Sequence, residues 1–243
     1  RKLIQELNDV VIVFLNFVVS KFGPVAIFML LTRTFASYGV EHLKPAVAYV
    51  ILTVALLLIF LIIGYPAFIA IFAHLDPFKF AKKITRVAVF GFSTSSSAAT
   101  LPLNVKTTVE ELGVDEKIAS FVLPLGATIN MDGTAIYQAV CAVFIACCYG
   151  VELTLGDMAM IVLTATLASV GTAGVSGAGM IMLAMVLTQV GLPVEGIAII
   201  AGVDKLFDMG RTTLNITGDA TCALFISRLE REKAAKKAAK AAK

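Results

Sequence analysis

Apolar runs follow one another along this chain, separated by short polar interruptions, and they are of two kinds. Val10 to Ser37 and Pro45 to Phe72 are unbroken enough to cross a bilayer, which takes roughly 20 apolar residues per helix. The first is expected to bend at Gly23-Pro24, and the second carries Gly64-Tyr65-Pro66 near its far end. A basic loop is expected next, with Lys79, Lys82, Lys83 and Arg86. Beyond it the pattern changes. Val87 to Val105 is apolar but interrupted by Ser93-Thr94-Ser95-Ser96-Ser97, and neither flank is long enough to cross. That predicts a re-entrant hairpin, which goes in, turns at a polar tip and comes out again. Ile118 to Tyr149 is long enough to cross yet holds Asn130-Met131-Asp132-Gly133-Thr134 in its middle. Met158 to Val190 is again two apolar flanks, here around Gly171-Thr172-Ala173-Gly174-Val175-Ser176-Gly177. Gly196 to Ile226 crosses with a polar stripe through its centre, and a basic tail carries Lys233, Lys236, Lys237, Lys240 and Lys243.

The order hairpin, broken span, hairpin, broken span is a repeat read from hydropathy rather than identity. The fold class it predicts is an all-α membrane protein, with transmembrane helices, two re-entrant helical hairpins and two broken helices in an inverted repeat. Charge gives the direction. With the Lys79 to Arg86 segment in the cytoplasm, the first hairpin returns there at Lys106 to Lys117. The first broken span then exits near Gly150-Val151-Glu152, the second hairpin enters from outside, and the last span delivers the basic tail to the cytoplasm. The two halves thus run with opposite topology, an architecture that binds its cargo at mid-membrane between broken helices.

Composition supports lipid as the solvent. The hydrophobic fraction is 58% and the mean hydropathy +0.90, above the roughly 45–50% of soluble domains. A soluble chain of 243 residues has too little interior to hide that surface. The net charge is only +3, and no Lys or Arg lies between Lys117 and Lys205, which excludes the dense basic face that nucleic acid requires. Cys141, Cys147, Cys148 and Cys222 all lie in apolar runs at no metal-binding spacing and read as small membrane-helix hydrophobes. Arg1 to Asp9 does not read as a signal peptide, because the apolar run after it is too long and lacks a small-residue cleavage site. The start is expected to be truncated.

In the last span, Asp204, Asp208, Arg211, Asn215 and Asp219 follow at steps of 4, 3, 4 and 4, so they share one helical face, with Thr212 beside them. A charged residue at the bilayer centre costs about 2.5–3.5 kcal/mol, and four unpaired ones roughly 10 kcal/mol or more. A salt-bridge network that only locks helices explains Asp208 with Arg211 but leaves Asp204, Asn215 and Asp219 less well explained. Asn130 and Asp132 sit beside Gly133, where an unwound turn frees carbonyls next to a carboxylate and an amide. Such hard oxygen donors suit a small cation; the plainer alternative is a kinked helix with a capping Asp. The serine tip offers hydroxyls and N–H groups to a carboxylate. The glycine tip Gly171 to Gly179 has neither a preceding strand nor an acidic ribose partner, so it is read as a mobile hairpin closing over a ligand rather than a nucleotide loop.

The segments STSSSAATLP (Ser93 to Pro102), NMDGTA (Asn130 to Ala135), GTAGVSGAG (Gly171 to Gly179) and DMGRTTLNITGD (Asp208 to Asp219) resemble those of the excitatory amino acid transporters, the dicarboxylate/amino acid:cation symporter family, in order and spacing. The resemblance covers nearly all of Lys79 to Glu230. It implies that Arg211 grips the substrate's side-chain carboxylate and Asp204 holds that arginine. It implies that Asp208 takes the amino group, with Asn215, Thr212, Ser96, Ser97 and Thr134 around the α-carboxylate and amine end. Val175 and Gly179 would form the lid. One sodium seat would use Asn130, Asn215, Asp219 and the carbonyl of Gly126. A second would use carbonyls of Thr128, Ser169, Val170 and Thr172 with the Met131 sulfur nearby, and a third Asp132 and Asn130.

The resemblance also implies a division of the chain. Residues 1–40 would be a scaffold-type helix making subunit contacts in a homotrimer. Residues 41–228 would be the transport domain, and 229–243 a basic cytoplasmic tail. The family has eight membrane helices plus two hairpins; this chain is expected to lack the first four helices, one of which completes the third sodium seat. It departs from many relatives at Ala98, where they carry another serine, and from some at Ser176, where they carry proline.

The function expected is a sodium-coupled, elevator-type symporter of glutamate or aspartate in the plasma (cell inner) membrane. A membrane-buried guanidinium suits a carboxylate through two parallel hydrogen bonds, and Asp208 argues for a substrate that also carries an ammonium. Proton coupling, with Asp132 or Asp219 titrating and a glutamate or dicarboxylate as cargo, is the alternative, and an anion channel is an alternative of another class. An intramembrane protease is the remaining reading, and no enzyme is expected. The only histidines, His42 and His74, lie at predicted loops, and Asp208 and Asp219 cannot face each other from one helix three turns apart.

Overall fold

The computed structural model describes residues 43–241 together with Val10, Val13, Phe17, Lys21, Phe22, Val25, Phe28, Met29 and Thr32, all helical. The bend expected at Gly23-Pro24, the beginning at Arg1 to Asp9, His42 and the separate unit expected at 1–40 lie wholly or largely outside the described residues. Among the described residues every regular element is helical, with no strand.

The chain enters α1 (Leu43–Ile59), passes a π-turn at Phe60–Gly64 into the short α2 (Tyr65–Phe68), and ends in a second π-turn at Ile69–Ala73. This is one continuous helical rod, apolar over Ala46–Ala73 and long enough to cross a bilayer. The register change has a local cause. Pro66 has no N–H to give, so the ladder loosens ahead of it and Tyr65 N bonds Phe60 O, five residues back. The rod's outer face presents Val47, Ile51, Leu58, Ile59, Ile62 and Ile63 uncovered, a surface that suits lipid chains.

A tight turn at His74, in the left-handed region (φ 52°), leads into α3 (Pro77–Thr94). Here the structure corrects the expected basic loop: Lys79, Lys82, Lys83 and Arg86 all lie within this helix. Asp76 caps it, its carboxylate accepting from Phe78 N (2.9 Å) and Lys79 N (3.3 Å), and Pro77 starts the first turn with a preset φ. The lysines then ride on an exposed helix face.

α3 turns at Ser95-Ser96 into α4 (Ser97–Glu110), which is capped by Ser96 accepting from Ala99 N. α5 (Glu116–Ile129) stops at Asn130-Met131 and resumes as α6 (Asp132–Cys148). α7 (Leu155–Val170) opens with a capping box in which the Thr154 hydroxyl and Asp157 satisfy each other's N–H. These bonds from Thr154 hold the Asp157 carboxyl below the usual carboxylate range. α7 is joined to α8 (Ala178–Gln189) through the glycine-rich turn. α9 (Ile197–Ile200) is separated by Ala201–Val203 from α10 (Asp204–Ala241). The break in the last apolar stretch therefore precedes its polar stripe, and Asp204 is the first residue of the new helix.

α10 is the axis of the fold. It packs against α1, α3, α4, α5 and α6, and Arg211 to Thr221 are buried without a break. Two apolar clusters flank its polar stripe. One joins Tyr49, Ile145, Ile161, Leu183 and Phe207; the other joins Ile84, Val87, Leu123, Ile216 and Ala220. Side-chain bonds to backbone pin the arms: Asn104 Nδ2 donates to Ile216 O (3.1 Å) and Thr213 Oγ1 to Ala88 O (3.3 Å). At 38 residues α10 is about 57 Å long, well beyond a hydrocarbon core of about 30 Å. The segment expected as a tail from 229 thus continues the same helix through Ala241.

Candidate functional site

Four chain interruptions meet against the first half of α10: the Ser95-Ser96 turn, the Asn130-Met131 break, the glycine-rich turn, and the start of α10 itself. Each leaves helix ends with unpaired backbone groups. N-termini at Ser97, Asp132 and Ala178 present partial positive charge, while C-termini at Thr94, Ile129 and Val170 present carbonyls. A small cleft opens between them. Its lining is polar for a membrane protein, with Ser97, Thr134, Thr172, Asp208, Arg211, Thr212 and Asn215 among it.

Among the described residues Arg211 is the largest fully buried side chain, at 1% exposure. Its Nη2 donates to Asp208 Oδ1 at 2.9 Å and to Asp204 Oδ1 at 3.4 Å, and its Cζ lies 4.0 Å from the centroid of the Tyr137 ring. The salt-bridge network is therefore real, and it uses one nitrogen of the guanidinium, Nη2. Nε and Nη1 are buried with no hydrogen-bond partner in the protein. Leaving such donors unpaired costs about 1–3 kcal/mol each, so a locking role alone does not explain them. Space for the guanidinium is made by Gly179, where a Cβ would sit 2.3 Å from Arg211 Nη1.

Asp208 is used on both oxygens, because Oδ2 accepts from Ser176 Oγ (2.7 Å) and Gly177 N (3.2 Å). Ser176, assigned no contact from the sequence, is thus the residue of the second tip whose side chain bonds the ion pair. The composition of the tip gave no signal for it, since serine is common in turns. Val175, the expected lid residue, lines the cleft and is half exposed. Ser97 also lines it, but Ser96 does not: its hydroxyl donates to Gly174 O (2.9 Å) and caps α4. Ala98 N bonds the same carbonyl at 3.1 Å, so the two tips touch directly.

Asn215 reaches into the α5–α6 break. Its Oδ1 accepts from Gly133 N (2.8 Å), and its Nδ2 lies 3.0 Å from Met131 Sδ and 3.4 Å from Thr134 Oγ1. One turn on, Asp219 Oδ1 accepts from Asn130 Nδ2 at 3.0 Å, and a Cβ at Gly126 would be 2.4 Å from that same oxygen. The four residues expected for one cation seat are therefore neighbours. Asp132 receives a bond that the sequence did not suggest, from Tyr65 OH to Oδ2 at 2.7 Å. Thr128 is exposed at the end of α5, and α5 packs against α7, whose last turn holds buried Ser169 and exposed Val170. Thr172 is buried just beyond, its hydroxyl donating to Ala168 O.

Interrupted helices, charges paired and buried in their midst and an apolar exterior are features that membrane transport proteins share. The model of the sodium:dicarboxylate symporter family matches residues 1–229, and the chain belongs to that family. It is similar to an excitatory amino acid transporter of Caenorhabditis elegans, 39% identical over 214 residues that make up 87% of this chain and 42% of that protein. It is 38% identical to human excitatory amino acid transporter 1 over 234 residues, 95% of this chain and 43% of that protein. Excitatory amino acid transporter 4 of Rattus norvegicus is 48% identical over 156 residues, 64% of this chain and 28% of that protein. The chain spans less than half the length of these relatives.

Proposed function

We propose that this chain is the substrate- and cation-binding part of a sodium-coupled symporter of acidic amino acids, glutamate or aspartate. The observation that carries the reading is Arg211: a guanidinium fixed through Nη2 by Asp204 and Asp208, with Nε and Nη1 left without protein partners. A carboxylate is a charged acceptor for such free guanidinium donors, and Nη1 is the one that borders Gly179 in the cleft wall. Asp208 beside it, reachable once Ser176 withdraws, suits the ammonium of the same molecule. Ser97, Thr134, Thr212 and Asn215 surround the remaining carboxylate, and Val175 and Gly179 belong to the lid.

Sodium is the coupled ion in this reading. Gly126, Asn130, Asn215 and Asp219 form one seat; Thr128, Ser169, Val170 and Thr172 with Met131 a second; Asp132 and Asn130 a third. Neutral amides, carbonyls and carboxylates at helix C-termini suit a hard monovalent cation. The proton-coupled alternative rests on Asp132 and Asp219, whose side chains take single bonds from Tyr65 and Asn130.

The two helix pairs α3–α4 and α7–α8 are read as re-entrant hairpins of an inverted repeat, with α5–α6 and α9–α10 as its broken helices. Residues 41–228 then move as one transport domain against scaffold helices in an elevator cycle. The chain is a multi-pass component of the plasma membrane with the end of α10 in the cytoplasm, and the whole protein is a homotrimer. The relatives carry transporter names, and the reading includes no catalytic step.

Uptake of labelled aspartate and glutamate by the full-length protein in proteoliposomes, with sodium and pH gradients imposed separately, tests this. Uptake driven by an inward sodium gradient at equal pH is expected. Uptake that follows only the proton gradient rejects sodium coupling, and a substrate-independent anion current without uptake rejects symport.

A further inference from the structure

We propose that Lys205 is a positioning residue for the cleft: its ammonium fastens the two tips to each other and, through Ser176, holds the second tip over Asp208. The proposal rests on reading the cleft as a substrate site. Lys205 is the one Lys or Arg between Lys117 and Arg211, and it stands in the first turn of α10, the positive end of the helix dipole. A cation is disfavoured there, so its place calls for acceptors. It has two: Nζ lies 2.9 Å from Ser95 Oγ in the first tip and 3.1 Å from Ser176 Oγ in the second.

The direction of the bonds is consistent along the chain of contacts. An ammonium only donates, so Lys205 gives hydrogens to both hydroxyls. Ser176 then spends its own hydrogen on Asp208 Oδ2 at 2.7 Å. Such a series polarises each member and strengthens the last bond. Lys205 therefore acts on Asp208 without touching it.

Backbone geometry points the same way. Ser95 is buried and holds φ 50°, a left-handed conformation that costs a non-glycine residue energy. Its hydroxyl is the one Lys205 uses. The other bonds between the tips, from Ala98 N and Ser96 Oγ, all end on Gly174 O. They fasten the near side of the second tip and leave Ser176-Gly177 to Lys205 and Asp208.

Every bond in this set joins the protein's own atoms. A substrate ammonium must take Asp208 Oδ2 from Ser176 and Gly177, which makes Lys205 the residue that sets how readily the second tip leaves. A carrier that returns empty across the membrane needs its tips closed; a carrier that exchanges one substrate for another does not use the empty return. Lys205 should therefore matter to net uptake more than to exchange.

The test uses the reconstituted protein with spin labels at Val89 and Ile181, exposed positions on the helices leading from the two tips, in a background lacking Cys147, Cys148 and Cys222. In sodium-free, aspartate-free buffer, Lys205→Met is expected to raise the separated-tip population about tenfold, the loss of a charge-assisted bond, while Lys205→Arg keeps the wild-type distribution. Net aspartate uptake by Lys205→Met should fall while exchange is retained. A Lys205→Met distribution that overlays wild type overturns the proposal, as does an equal fall in net uptake and exchange. If Lys205→Met separates the tips but sodium and aspartate leave the wild-type distribution unchanged and are not bound, the fastening stands and the substrate reading fails.

Discussion

Replacing Arg211 by cysteine removes the one guanidinium from the buried stripe and is expected to abolish binding of acidic substrates while leaving a cleft able to accept small neutral amino acids. The magnitude follows from the surroundings. Arg211 is 1% exposed and bonded to Asp208 and Asp204, themselves buried. Removing one partner of a buried ion pair costs about 3–5 kcal/mol, which is about two to four decades in a binding constant. Asp208 keeps Ser176 and Gly177 as partners, so the loss at Asp208 should lie toward the lower end. Arg211→Lys should recover little, because one ammonium cannot bond Asp204 and Asp208 and still present the further fixed donors that Nε and Nη1 supply. The assay is equilibrium binding of aspartate, and of serine or alanine, to purified protein at saturating sodium, with sodium binding alone as the check on folding. Aspartate affinity within about threefold of wild type in Arg211→Cys, a difference near RT in free energy, would refute the assignment of the carboxylate to Arg211.

Tyr65→Phe removes the hydroxyl that bonds Asp132 and should lower apparent sodium affinity by about tenfold or more, as for a bond to a charged group; aspartate affinity titrated at several sodium concentrations reads it, and an unchanged sodium dependence rejects a link between Tyr65 and the cation seat. At the mouth of α7, the Thr154 bonds hold the folded-state pKa of Asp157 below its unfolded value. Its stabilisation is therefore present above the unfolded carboxylate range near pH 4 and is lost as pH falls through the lower folded value. Thr154→Ala deletes the hydroxyl bond but keeps the one from the backbone N–H, so it should shrink that acid-side loss, measured as melting temperature against pH, and an unaltered acid limb of the curve argues against it.

Features set by neighbours in sequence could be read from sequence. The α5–α6 break falls at Asn130-Met131 because two polar side chains and Gly133 interrupt an apolar helix. The turns between α3 and α4 and between α7 and α8 fall in the serine and glycine clusters for the same reason. The stripe from Asp204 to Asp219 lies on one helix, as its spacing requires. At Lys79 to Arg86 the charge pattern suggested a loop, but the Asp76-Pro77 cap decided the local structure. What remained unread depends on contacts between segments far apart in the chain. Nothing near Tyr65 indicates that its hydroxyl reaches Asp132, 67 positions away. Ser96 and Ser176 look alike within their tips, yet one is spent on Gly174 and the other on Asp208. Lys205 follows Asp204 in the polar stripe, and only the packed tips turn it toward two serines.

The same geometry argues for a physical route by which cation and substrate affect each other. Asn215 holds the α5–α6 break through Gly133 N and Met131 Sδ, and it also lines the cleft beside Arg211. A cation drawing on Asn130 and Asp219 would reorganise the bond between those two side chains, and Asn130 also approaches Asn215 O at 3.5 Å. The second tip meets this region from the other side, because a Cβ at Gly174 would lie 2.8 Å from Ala127 O and 3.2 Å from Ser97 Cβ. The end of α5, the second tip and the cleft wall are thus packed without slack, so a shift in one changes the free energy of ligand contacts in the others. By linkage, any such coupling is reciprocal: a cation that prepares the cleft for substrate is held more tightly by substrate, to the same factor. In a symport reading that reciprocity is what keeps either ligand from crossing alone, and Asn215, which bonds the α5–α6 break and lines the cleft, is the residue through which the two regions adjoin.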